Sequence, residues 1–117
     1  MFSDPDTWHS LLAWTARLST TFLRAQGEAG ASALQLFDSW AGTLSLPDYE
    51  KYAVPHSTAV FTGTADLGLP RIHFGTKTSE LLVAMRACGA DVIGIDDRTL
   101  LSDAIERLGA DIPVQGN

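Results

Sequence analysis

A chain of 117 residues, 45% of them hydrophobic and 19% charged, has the composition of a sequence that buries a core rather than one that stays disordered. Fourteen acidic against eight scattered basic residues leave a net charge of −6, which speaks against a surface that tracks nucleic-acid phosphates. The single cysteine, Cys88, cannot form an internal disulfide and fits a reduced compartment. The start, Met1-Phe2-Ser3-Asp4-Pro5-Asp6, is acidic where a secretory leader would be basic, and no apolar run approaches the roughly 20 residues that span a bilayer. A cytoplasmic protein with neither a membrane nor a nucleic-acid partner is therefore expected.

The elements follow in order along the chain. Asp4 followed by Pro5 reads as a helix cap with proline in the first turn, and Trp8, Leu11, Leu12, Thr15, Leu18, Phe22 and Ala25 recur at helical spacing as one apolar stripe ending near Gly27 and Gly30. Residues 33–37 are a short buried strand closed by Asp38-Ser39. Ser45 caps a second helix whose inner side carries Tyr49, Tyr52, Ala53, Val60 and Leu67, with a kink expected at Pro55 and an end at Gly68. Residues 71–75 form the next strand, and Thr78 or Ser79 caps a helix bearing Leu81, Leu82 and Met85. Residues 92–95 are a third strand. A short helix from Leu100 to Leu108 ends at Gly109, and Ile112-Pro113-Val114 starts a fourth strand, with Pro113 unable to donate to a ladder.

Alternation of helices with short, apolar strands implies an α/β fold with a parallel sheet and right-handed crossovers, either doubly wound or a barrel. A closed barrel takes eight strands, and about four β/α units are present, so residues 1–117 are expected to be a single partial (β/α)8 TIM barrel domain, about half of the full one. Polar residues follow each strand: Asp38-Ser39, Thr76-Lys77-Thr78, Asp96-Asp97-Arg98 and Gln115-Gly116-Asn117. In both architectures ligands bind at that edge of the sheet.

Four segments carry a family resemblance: residues 30–42, with the sequence Leu36-Phe37-Asp38-Ser39-Trp40-Ala41-Gly42 at their end; Ile72-His73-Phe74-Gly75; residues 89–96; and Val114-Gln115-Gly116-Asn117. Together and in this order the chain closely resembles the uroporphyrinogen decarboxylase family. The resemblance implies a barrel enzyme of haem and porphyrin biosynthesis, a carboxy-lyase removing CO2 from the four acetate side chains of uroporphyrinogen III to give coproporphyrinogen III. It further implies no metal or organic cofactor, a porphyrinogen substrate, and homodimers. In the implied mechanism a protonated pyrrole accepts the electrons of the breaking C–C bond.

Residue by residue, the resemblance assigns only Ser39, as a hydrogen-bonding contact to a substrate carboxylate. It assigns no catalytic residue, since the family's arginines, aspartate, tyrosine and late histidine match segments outside Met1–Asn117, and the chain by itself is expected to be inactive. Lys77 and Ser79 stand where glycines are expected, and Asp97 where the family places tryptophan.

Each residue also has a plain structural reading. Ser39 could cap the segment after its strand, Lys77 could be a solvated loop residue, and Asp96 and Asp97 could make turns and caps with Arg98 as partner. His9, His56 and His73 lack metal-ligand spacing and are not expected to form a site, and Cys88 is expected to be a packed thiol. Trp8, Trp14 and Trp40 read as core or interface anchors. A corrinoid methyltransferase-like barrel using zinc, and a non-catalytic half-barrel that binds or assembles, are the alternative functions.

Overall fold

In a computed structural model, residues 1–116 are described; Asn117, the last residue of the fourth polar cluster, lies outside them. Helix α1 (Pro5–Glu28) begins where the sequence places it, with the Asp4 carboxylate accepting the Thr7 N–H at 3.0 Å. Strand β1 (Leu34–Phe37) follows, then a 3-10 turn at Ala41–Thr43. The expected kinked helix is two helices, α2 (Leu46–Tyr52) and α3 (Val54–Thr62), broken at Ala53. Pro55 sits in the first turn of α3, where its missing N–H leaves no bond unmade, so the chain restarts a helix instead of bending one.

A second 3-10 turn (Ala65–Leu67), strand β2 (Arg71–Phe74), helix α4 (Leu82–Ala87), strand β3 (Val92–Gly94), helix α5 (Leu101–Leu108) and strand β4 (Val114–Gln115) complete the order. Neither Thr78 nor Ser79 caps α4. Leu81 holds the cap position without a side-chain bond, and the Thr78 hydroxyl turns back to the Gly75 carbonyl at 3.2 Å. The last strand starts later than expected: Pro113 contributes only its carbonyl, which accepts the Ile93 N–H at 3.1 Å, and regular pairing begins at Val114.

The four strands form one parallel sheet in the order β1-β2-β3-β4. Leu34 to Phe37 pair in register with Arg71 to Phe74, Ile72 to Phe74 with Val92 to Gly94, and Ile93 and Gly94 with Val114 and Gln115. The sheet does not close on itself; β1 and β4 are its edges. This is the α/β architecture expected of part of a barrel, with all strand ends that carry the polar clusters on one rim.

Two apolar clusters hold the helices to the sheet. The larger joins Tyr49, Leu81, Leu82, Met85, Ile93 and Ile95 with Ala104 and Leu108 of α5, and the smaller joins Ala16 and Leu23 of α1 with Leu34 and Val60. The stripe expected on α1 is only partly buried. Leu11, Leu18 and Phe22 are exposed, as is Trp14, because α1 packs one face on α3 and β1 and has no neighbour among the described residues on the other. Trp40 is also exposed, whereas Trp8 is half-buried and donates its indole N–H to the Tyr52 carbonyl. No helix among the described residues is long and apolar enough to cross a membrane.

Candidate functional site at the carboxyl rim of the sheet

Side chains alternate across a strand, so β1 and β2 offer Leu34, Leu36, Arg71 and His73 to one face and Gln35, Phe37, Ile72 and Phe74 to the other. The second face is open. Gln35, Phe37, Phe74, Ile95, Gln115 and Gly116 line its hollow, and Phe37 meets Phe74 edge to face with centroids 5.7 Å apart. An apolar floor thus lies directly beneath the rim.

The rim loops are tied to each other. The Asp38 N–H donates to the Phe74 carbonyl at 2.7 Å, carrying pairing one residue past β1, and the Thr76 hydroxyl donates to the Ser39 carbonyl. Gly42 packs so closely on the Thr76 and Lys77 carbonyls that a Cβ has no room. Across the next gap, the Lys77 N–H donates to Asp96 Oδ2 at 2.7 Å. Asp96 also receives the Arg98 N–H at 3.3 Å and the Thr99 hydroxyl at 3.4 Å, which is the turn-forming role read for it in the sequence.

Ser39 is half-buried between the loops. It does not cap the following turn, where Trp40 holds the cap position without a side-chain bond. Among the described residues only its carbonyl is engaged, which leaves its hydroxyl available to a ligand. Lys77 adopts φ 58°, the left-handed geometry that a glycine would take at no cost.

Beneath the rim, on the helix-covered face, lies a polar cluster that the sequence did not reveal. Asp38 Oδ2 accepts the Tyr49 hydroxyl at 3.3 Å and the Ser57 hydroxyl at 3.5 Å, and lies 3.5 Å from Nε2 of His73, whose side chain is fully buried. The His73 contact is an ion pair falling short of a formed hydrogen bond, while Nδ1 lies 3.1 Å from the Met85 carbonyl. Burial works against a charged imidazole, but the Asp38 carboxylate, the Cys88 sulfur and the Met85 carbonyl outweigh it, and the His73 pKa rises from 6.5 to about 9. Burial, then the Asp38 charge, pushes the Tyr49 phenol far above its ordinary range, so it stays a donor. His73 therefore stands charged at neutral pH, fixing the carboxylate one residue before Ser39.

Two histidines expected to stand apart also meet. Nδ1 of His9 on α1 lies 2.9 Å from Nε2 of His56 on α3, and burial, then the charge on His9, holds His56 below its ordinary pKa. A separation of 47 positions hides the pair from any spacing rule. No group of three His, Cys, Asp or Glu side chains among the described residues could hold a metal ion. Cys88 is a buried free thiol bonded to the Ala84 carbonyl, as read from the sequence.

The sequence profile described as "Uroporphyrinogen decarboxylase (URO-D)" matches residues 1–117. The chain belongs to the uroporphyrinogen decarboxylase family. Among curated relatives, the uroporphyrinogen decarboxylase of Salinispora tropica is 56% identical over 117 residues, all of this chain and 32% of that protein. That of Arthrobacter sp. (strain FB24) is also 56% identical, covering 34% of its length, and that of Nocardia farcinica is 54% identical, covering 33%. The chain therefore spans about a third of the length of the curated relatives it matches, less than the half expected from the strand count alone.

Proposed function

We propose that these 117 residues supply one wall of the active site of a uroporphyrinogen decarboxylase, a carboxy-lyase removing CO2 from the acetate side chains of uroporphyrinogen III. The observation that carries the reading is the family match over every residue of the chain. The rim supplies a physical place for it. A tetrapyrrole is a broad apolar ring fringed by carboxylates, and here an apolar floor of Phe37 and Phe74 lies under a polar rim. In this reading Ser39 donates its hydroxyl to a substrate carboxylate, and the charged His73–Asp38 pair holds the strand end that carries it.

In this reading the proton transfers belong to the segments that make up the other two thirds of the relatives' length. Residues 1–117 act in this reading as one partial barrel domain. A cytoplasmic setting is supported by the buried free thiol of Cys88, and self-association by the exposed apolar residues of α1 and Trp40.

Uroporphyrin I, which keeps the eight carboxylates of the substrate, tests the role of Ser39. Ser39→Ala should weaken its binding by about 10- to 100-fold, the value of one hydrogen bond to a charged group, without shifting thermal stability. Unchanged affinity would remove Ser39 from the site.

A further inference from the structure

Asp96 is buried, yet it lies at the rim, and its two carboxylate oxygens do different things. Oδ2 accepts the backbone N–H of Lys77 and Oδ1 that of Arg98. One carboxylate thereby fixes the backbones of two cationic residues from two different loops. Lys77 is held in the left-handed region, where it is the one non-glycine residue at positive φ among those described. Thr76 binds the Ser39 carbonyl, so Lys77 follows directly on the contact that joins the two loops. Backbone strain kept in place by surrounding bonds is a mark of functional positions, because it persists only where the neighbours over-determine it.

Both side chains are exposed. Arg24, Arg71 and Arg107 each hold a carboxylate, on Asp66, Asp91 and Glu80. Among the described residues neither the Lys77 ammonium nor the Arg98 guanidinium is in an ion pair. Asp96 Oδ2 and Oδ1 accept the backbone N–H groups of Lys77 and Arg98, and Lys77 sits on the loop that Thr76 joins to the Ser39 carbonyl.

We propose that Lys77 and Arg98 form a carboxylate-binding pair that takes an acidic side chain of a tetrapyrrole polycarboxylate next to Ser39. The inference rests on the substrate reading above and adds to it the residues that carry the positive charge. Arg98 offers a planar fork matched to a carboxylate and Lys77 a point charge beside it. Asp97, exposed between them in the chain, works against them, so its removal strengthens the pair.

Titration of the full chain with uroporphyrin I at low salt, followed by porphyrin fluorescence, tests the pair, with mesoporphyrin IX, which has two carboxylates, as the comparison. Lys77→Gly and Arg98→Gln should each weaken uroporphyrin binding by about fivefold, with much smaller effects on mesoporphyrin. Lys77→Arg should bind as the unsubstituted chain does, and Asp97→Asn more tightly. Lys77→Gly should melt at the same or a higher temperature, since glycine accepts φ 58° freely, so its loss of binding cannot come from unfolding. Added salt should erase the differences. Unchanged uroporphyrin binding in both Lys77→Gly and Arg98→Gln would overturn the pair and leave the substrate rim standing. Equal losses for both porphyrins would also overturn it, by tracing binding to the apolar floor. No uroporphyrin binding by the unsubstituted chain would overturn the substrate reading and the pair together.

Discussion

Substituting His73 by glutamine removes the buried cation that faces Asp38, and the effect on stability should depend on pH in a defined direction. The His73 side chain is fully buried, so solvent does not screen its interaction. Its pKa rises from 6.5 to about 9 on folding, and at ~1.4 kcal/mol per pH unit this corresponds to about 3 kcal/mol. Below pH 6.5 both the folded and the unfolded chain hold the proton and the contribution is complete. Between pH 6.5 and 9 the unfolded chain releases the proton while the folded one keeps it, and stability falls; above pH 9 the contribution is gone. Urea unfolding of the original chain and of His73→Gln, followed by tryptophan fluorescence at pH 6, 7.5 and 10, reads this directly. Titrating groups that do not interact with His73 are common to both proteins and cancel in the difference. The stability gap should shrink by about 3 kcal/mol from pH 6 to pH 10. A gap that stays constant, or widens with pH, would refute a charged His73.

The histidine pair between α1 and α3 should act on the acid side. The folded His56 takes up its proton at lower pH than the unfolded one, so stability is complete above pH 6.5 and declines as pH falls; His56→Asn should show a smaller drop in melting temperature between pH 7 and 5, and an equal drop would dissolve the pair. Gly42→Ala forces a Cβ onto the Thr76 and Lys77 carbonyls and should destabilise the chain by about 1–3 kcal/mol in urea unfolding; a neutral substitution would mean that the rim loops are not in contact.

The parts of the fold legible in the sequence are those set by local chemistry. Asp4-Pro5 starts a helix and Gly109, at φ 87°, ends one, whereas the helix expected to run to Gly68 stops at Thr62 and Gly68, at φ 65°, closes a separate 3-10 turn. The rim was equally legible, because polar residues after apolar strands collect on one edge once the strands are parallel. What failed depended on distant neighbours. Thr78 has the chemistry of a cap, but the helix starts three residues later, behind Leu81, and the Thr78 hydroxyl donates to the Gly75 carbonyl instead. Leu11, Leu18 and Phe22 have the spacing of a buried stripe, yet burial needs a partner surface that periodicity does not specify. The Asp38–His73 pair joins residues 35 positions apart, one just past the end of β1 and the other on β2, and only the register of β1 on β2 brings them together. Strand register also set Ser39, a possible cap in the sequence, half-buried between the loops with its carbonyl bonded to Thr76 and its hydroxyl left over.

Grafting provides the most direct test that this chain is a working part of a uroporphyrinogen decarboxylase. The segment of the Salinispora tropica enzyme that aligns with it, 32% of that protein, can be replaced by residues 1–117, which are 56% identical to it. The purified chimera would then be assayed for conversion of uroporphyrinogen III to coproporphyrinogen III beside the parent enzyme. The chimera should turn over substrate, with kcat/KM falling about 10- to 100-fold on Ser39→Ala. A chimera that folds and melts like the parent but releases no coproporphyrinogen would contradict this reading.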